Sequence, residues 1–362
     1  MDLKRIAFGA IIFSVFGAGL SGTFTTPALA GKVEQIATAT RCIKSVLPGQ
    51  PLLAGVHSGQ LPITAIIRRC GGLAMSISKR GGNLSMLPIQ ERFIPKFKLR
   101  SKGLTIPDMR IALAPKSIRE AWLTRPNERY DHAILGDGFE AGGLAVTTAK
   151  GIRLEFLLDK TQVFEDRMAR LVDLDGDGEP EIVTVQTSLE KGASVAVFGV
   201  QGDEIIRLAK TPFIGQSHRW LNIAAAADFD GDGKVELAWV QTPHIGGILK
   251  VARLEGKGST RTLKVLDEIS GFSNHVIGSR ELLQSVTFDW DGDGLPDIIL
   301  PGAARRTLQV VSMKGGKLKV IDEMAIDGVI NSQLVAADLN GDGKGEVLIS
   351  LKDGRLFSFS AK

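Results

Sequence analysis

The sequence predicts an all-β fold assembled from repeats, and three observations carry that prediction. A nine-residue acidic motif recurs four times at near-regular spacing. Each copy is followed by a short, largely β-branched apolar run, the signature of a strand. Glycine is abundant, 42 of 362 residues, as a chain with many turns requires. The composition, 44% hydrophobic and 23% charged, is that of a folded chain and excludes wholesale disorder. After the first segment no apolar run approaches the ~20 residues of a membrane helix, which excludes a protein with several such spans.

From the amino end, residues 1–30 read as a secretory signal peptide. Lys4 and Arg5 precede an apolar stretch from Ile6 to about Leu20, and Ala28-Leu29-Ala30 supplies an A-x-A end. Cleavage after Ala30 leaves 31–362 as one domain with no membrane span, exported to the periplasm or outside the cell. Export gives Cys42 and Cys70, the two cysteines, an oxidising compartment, so they are expected to form a disulfide.

Residues 31 to about 48 read as a short helix. Leu61–Arg68 with Leu73–Ile77, and Ile106–Leu113, resemble worn strands of a repeat. His132–Thr147, which contains Asp137, keeps a strand–loop–strand outline without a ligand set.

The clear repeats follow. Asp173-Leu-Asp-Gly-Asp-Gly-Glu-Pro-Glu181 precedes Ile-Val-Thr-Val, and Asp228-Phe-Asp-Gly-Asp-Gly-Lys-Val-Glu236 precedes Leu-Ala-Trp-Val. Asp289-Trp-Asp-Gly-Asp-Gly-Leu-Pro-Asp297 precedes Ile-Ile-Leu, and Asp338-Leu-Asn-Gly-Asp-Gly-Lys-Gly-Glu346 precedes Val-Leu-Ile-Ser. Oxygen side chains fall at positions 1, 3, 5 and 9. They are Asp173, Asp175, Asp177 and Glu181; Asp228, Asp230, Asp232 and Glu236; Asp289, Asp291, Asp293 and Asp297; and Asp338, Asn340, Asp342 and Glu346. The glycine at position 6 permits the sharp turn that gathers them. Hard oxygen donors on a flexible loop select Ca²⁺, up to four ions per chain, over Mg²⁺, which resists dehydration. An EF-hand is excluded, because position 12 is Thr184, Trp239, Leu300 or Ile349 rather than Glu. Metal-free Asp-Gly hairpins are disfavoured, because clustered carboxylates repel.

Around each loop the pattern is strand–loop–strand–turn–strand. Ile223–Ala227 and Leu334–Ala337 lead in; Ser194–Phe198, Thr307–Val311 and Ile205–Leu208 continue. About four strands per repeat describe a propeller blade. The motif resembles the FG-GAP/VCBS repeats of bacterial secreted proteins and of integrin α-subunit propellers, most clearly from about 165 to 362. Asn340 departs from the usual aspartate but still offers an oxygen. The resemblance implies a calcium-bearing β-propeller with the metal between the first and second strands of a blade. Seven blades are favoured and six fit the spacings too. Closure is expected to pair Leu356–Phe359 with a strand near the amino end.

The formal charge is +4. Fifteen carboxylates occupy the loop ligand positions, so the rest of the chain is strongly basic. That balance favours an anionic glycan, a lipid headgroup or a protein partner, and export argues against nucleic acid. Topology places the connectors opposite the acidic loops on one face, with His218, Arg219, Trp220, His244, His275 and Arg280, joined by Arg167, Arg305 and Arg306. Arg219 and Arg280 both stand nine residues before a loop's first Asp. These residues are expected either to bind ligand or to brace neighbouring blades. No nucleophile elbow, zinc-protease motif or phosphate loop is present. A binding or scaffold module is therefore the first expectation. The alternative is a lyase or hydrolase on acidic polysaccharide, with His244 or His275 as base.

Overall fold

A computed structural model describes residues 31–36, 42–48, 61, 65–80, 83–90 and 105–362. The signal segment and His57 lie outside these residues. Among them the structure is all β apart from one short 3-10 turn at Gly258–Thr260, and no helix is long and apolar enough to cross a membrane.

The strands pair in antiparallel runs of four. The first unit holds Ile43–Pro48, Ala65–Arg69, Ala74–Arg80 and Asn83–Pro88. A nine-stranded sheet contains the next two. Its second-unit half is Ala112–Leu113, Ile118–Asn127, Glu140–Thr148 and Arg153–Leu157. Its third-unit half is Arg170–Val172, Glu181–Ser188, Gly192–Gln201 and Glu204–Lys210. Gln162–Phe164 joins the halves, meeting the second unit only where Phe164 faces Ala141. The fourth unit is Leu221–Ala227, Glu236–Gln241, Ile248–Glu255 and Thr262–Ser270. The fifth is Val286–Phe288, Asp297–Pro301, Thr307–Ser312 and Lys319–Ala325. The sixth takes Val335–Ala337, Glu346–Ser350 and Leu356–Ser360, and its fourth strand is Lys32–Ile36 from the amino end.

That last pairing, Lys32 opposite Ser360 through Ile36 opposite Leu356, is the expected joining of the chain's two ends. It also corrects the helix expected over 31–48. A lone Lys-Val-Glu-Gln-Ile segment states its period weakly, and the open edge of the Leu356–Ser360 strand supplies its hydrogen bonds. The bridge expected between Cys42 and Cys70 is present, with Cα atoms 5.5 Å apart, and ties the first unit's first hairpin.

Apolar clusters lie between successive units. Val183, Val195, Trp220 and Trp239 fill the contact of the third and fourth, and Val251, Phe272, Ile298 and Val311 that of the fourth and fifth. Ile299, Val310, Ile349 and Phe359 join the fifth and sixth. Ile67, Ile77, Val335 and Leu348 join the sixth and first. Burial of each such side chain stabilises by about 1.5–3 kcal/mol relative to exposure, so the sheets are held mainly face to face.

Because strands alternate in direction, turns between first and second strands lie on one face. Turns between second and third strands, and connectors between units, lie on the other. Asp131–His132 is a turn in the connector between Ile118–Asn127 and Glu140–Thr148. The segment that resembled a worn acidic loop therefore belongs to the opposite face. Sequence alone misplaced it because Gly-Asp-Gly marks a turn without saying which turn.

Candidate functional site

Each acidic loop joins the first strand of its unit to the second, and all four repeat one hydrogen-bond pattern. The first Asp accepts the backbone N–H of positions 4 and 6, one on each oxygen, at 2.7–3.0 Å. Position 3 accepts from the N–H of position 5, and position 9 reaches back to the N–H of position 2. Position 2 is Leu174, Phe229, Trp290 or Leu339, each buried, so every loop is pinned by one apolar anchor. Glycines at positions 4 and 6 hold φ between 75° and 90° in all four loops, a region costly for a side chain bearing Cβ.

This wrapping turns carboxylates toward a common centre. In three loops the oxygens of positions 1, 3 and 9 lie within 4.8 Å of one another: Asp173, Asp175 and Glu181; Asp228, Asp230 and Glu236; Asp289, Asp291 and Asp297. The fourth presents Asp338, Asn340, Asp342 and Glu346 in the same wrapping. Burial pushes Glu181 and Asp297 up to about 7, helped by Asp175 and Asp177 in one loop and Asp291 and Asp293 in the other. Such crowded carboxylates can hold a metal ion, and the all-oxygen donor set fits a hard cation.

On the other face four of the five histidines come together. The Tyr130 ring stacks on His218 at 5.0 Å, and His132 stands edge-on to His218 at 5.0 Å. The Tyr130 hydroxyl accepts the His218 backbone N–H at 2.7 Å. His132 Nδ1 meets the Glu165 carboxylate at 2.5 Å, and Thr187 donates to the other Glu165 oxygen at 3.0 Å. Glu165 is 1% exposed and burial pushes its carboxyl up. His132 Nε2 makes no hydrogen bond among the described residues. It is thus an imidazole oriented from behind by a buried carboxylate. Glu140, also buried, is raised to about 8 by burial and by the charges of Glu165 and Asp137.

Trp220 links this pair to the next. Its indole N–H donates to the Glu165 carbonyl at 2.9 Å, and its ring lies 4.6 Å from His275 and 6.2 Å from His244. His275 Nε2–H donates to the Ser279 carbonyl at 2.9 Å. A neutral His275 therefore accepts at Nδ1 from His244 Nε2–H, 3.0 Å away, which leaves His244 Nδ1 unprotonated. Burial lowers His244 to about 4, with Arg305 and His132 adding to it, and lowers His275 to about 3, with His244 adding to it. Both imidazoles are neutral near pH 7.

The expected site residues therefore separate. Trp220 is 2% exposed and belongs to the core, so no ligand can stack on it. His275 is wholly buried with both ring nitrogens engaged, which removes it as a base. Arg280 bonds Asp108 and Asp137, and Arg167, 4% exposed, meets the same two carboxylates, so these arginines brace connectors. Arg305 is buried and donates to the carbonyls of Ser273 and Ile330, again bracing units. Arg219, partly exposed, and Arg306, exposed, are the two of this set without a carboxylate partner among the described residues; the Arg219 guanidinium reaches the His218 carbonyl, at 3.4 Å. Sequence reading missed Tyr130, His132, Glu140 and Glu165, which carry no local motif. Left-handed φ at His218, Thr242, Arg305, Asp108 and Ala133 falls on this face's connectors, a concentration of strain typical of functional segments.

The FG-GAP-like repeat family matches residues 173–239 and 289–349. No curated protein matches the chain. Among solved structures, the crystal structure of rhamnogalacturonan lyase YesW at 1.40 Å resolution is similar at 16% identity with a TM-score of 0.39, over 86% of this chain and 61% of that one. This chain thus spans about three fifths of that structure's length, and at this degree of likeness no property of the lyase carries over.

Proposed function

As the chain is an FG-GAP-like repeat protein, we propose that it is an exported, calcium-stabilised β-propeller that serves as a binding or scaffold module. The observation that carries the reading is the fourfold identity of the acidic loops, all on one face, with the other face left to the aromatic and histidine cluster. Six four-stranded units among the described residues, closed by Lys32–Ile36 on Leu356–Ser360, favour six blades over seven. The same closure favours one domain over 31–362. The apolar leader and the Cys42–Cys70 bridge support export.

The partner is anionic: a glycan, a lipid headgroup or an acidic protein surface, drawn by the basic body and held at Arg219. A planar guanidinium suits carboxylate or phosphate because it donates two parallel hydrogen bonds. The test is a glycan and anionic-vesicle binding screen on the calcium-loaded chain from 31 to 362. Retention that weakens with salt supports the reading; no retention at low salt overturns it.

A second reading is favoured by one observation, the His132–Glu165 pair. A buried carboxylate behind an imidazole with an open Nε2 is an arrangement suited to proton transfer. In an enzyme acting on acidic polysaccharide His132, which has a carboxylate behind it, is the base ahead of His244, whose Nδ1 is open but has no such partner among the described residues, and of His275, whose two ring nitrogens are engaged. Product formation lost in His132→Ala with an unchanged melt supports this reading; turnover undiminished in that variant overturns it.

A further inference from the structure

The four acidic loops share a backbone but differ in what fills their centre. On the third strand of each unit, one residue faces position 9. Register pairs Glu346 with Ser360 and Glu236 with Arg253. Continuing the pairing of Ile182 with Phe198 brings Gly199 opposite Glu181, and continuing that of Ile298 with Val311 brings Ser312 opposite Asp297. Three units thus carry a small residue there. The fourth carries an arginine.

Arg253 uses its whole guanidinium on the loop. Nε donates to Glu236 at 2.8 Å, NH1 to Asp232 at 2.8 Å, and NH2 to Asp230 at 3.1 Å and again to Glu236. Three of the loop's four donor residues are thereby bound to one internal cation whose side chain is 11% exposed. Among the described residues no other loop shows an arginine spread over three of its carboxylates. Arg261 touches Asp175 from the neighbouring unit, Lys314 reaches Asp293 with a side chain 67% exposed, and Lys79 stands 4.0 Å from Glu346. Each reaches a single carboxylate of its loop, and two of the three are lysines, which lack the planar fork.

We propose that in the loop 228–236 the guanidinium of Arg253 takes the place of the metal ion, so that this unit is held by its own side chain and the chain binds three ions. The inference rests on the calcium reading of the other three loops. It also has a consequence for the opposite face. The fourth unit and its flanking connectors carry Trp220, His244 and His275, so the sheet behind the histidine cluster stays braced when calcium is withdrawn.

The test counts calcium on the folded chain from 31 to 362, stripped with chelator, reloaded with Ca²⁺ alone and measured by equilibrium dialysis with atomic emission. Three ions are expected. Asp289→Asn should lower the count by one, whereas Asp228→Asn should leave it unchanged, because no ion is there to lose. Arg253→Gln should raise the count by one. Four ions in the unmodified chain, with one lost in Asp228→Asn, overturn the proposal, since the ion then displaces the arginine. A count unchanged by Arg253→Gln in folded protein overturns it as well, since guanidinium and ion then do not compete for one place. If Arg253→Gln does not fold, the Asp228→Asn and Asp289→Asn pair still decides. No calcium in any variant overturns the calcium reading itself, a distinct failure.

Discussion

The two faces of this protein are built by opposite strategies. On the acidic face the loop itself is local: nine consecutive residues hold their own turn, place their own anchor and present their own donors. On the histidine face the contacts that assemble the cluster are long-range. His132 meets Glu165 across 33 positions, the Tyr130 hydroxyl meets His218 across 88, and Arg280 meets Asp108 across 172. The first face is therefore expected to answer to metal, and the second to side-chain packing and protonation.

The largest expected effect separates them at once. At free Ca²⁺ a hundredfold above its dissociation constant, each occupied loop stabilises by about 2.7 kcal/mol. Chelation should lower the melting temperature markedly, which scanning calorimetry with and without chelator will read. A melt indifferent to chelator would erase the contrast between the faces. Next in size is Trp220→Ala. The side chain is 2% exposed, and truncating such a residue costs about 3–5 kcal/mol. The loss should appear in urea midpoints with the calcium count unchanged, and a loss below about 1 kcal/mol would return Trp220 to the list of surface ligands. The bridge follows. Replacing Cys42 and Cys70 by serine opens a cross-link of sequence separation 28 and should cost about 3 kcal/mol in the chain-entropy model. Two alkylated thiols in the unreduced protein would instead show that the link is not formed.

These differences explain what was legible in the sequence. The acidic loops were readable to the residue because Asp173 through Glu181 states turn, anchor and ligand set in one stretch, then repeats it three times. The closing strand pair was readable because Leu356–Phe359 alternates and must find an edge. Lys32–Ile36 was not, since five mixed residues acquire a strand's pattern only from their partner. Asp137 looked like a decayed ligand and is a connector carboxylate near Arg280, 3.3 Å away. Arg219 and Arg280 share an offset from their loops, yet one is paired and the other is not. Offset along the chain fixes the face, whereas pairing depends on Asp108 and Asp137, which belong to a different unit.

Protonation gives a smaller and more selective effect. Glu140 is raised to about 8 in the folded protein against 4.5 ordinarily, chiefly by burial. Between pH 6.5 and about 8 the unfolded chain has already lost that proton and the native state still binds it, so stability should fall as pH rises through this window and level off above it. His244 and His275, lowered to about 4 and 3, act below it: their contribution is intact above pH 6.5 and is lost as pH falls. Urea midpoints in saturating calcium, compared with those of Glu140→Gln, will check the sign. A fall of equal size in Glu140→Gln would place its origin elsewhere.

The smallest effect on stability tests the binding reading most directly, because it divides two arginines that the sequence treats alike. Arg219 is partly exposed and reaches only its neighbour's carbonyl, so Arg219→Ala should change stability by less than about 0.5 kcal/mol, as surface substitutions usually do. Arg280 bonds carboxylates on a distant connector, so Arg280→Ala leaves Asp108 and Asp137 to Arg167 alone and should lower the melt measurably. Affinity for an anionic vesicle or glycan should move the other way. It should drop in Arg219→Ala and fall with added salt, since exposed charges are screened over about 8–10 Å near physiological ionic strength. Arg280→Ala, assayed below its melt, should bind nearly as the unmodified protein does. If Arg219→Ala binds anions undiminished, Arg219 is not the anion contact; if Arg306→Ala, the other exposed arginine of this face, is undiminished as well, the scaffold role has to be sought on the acidic face.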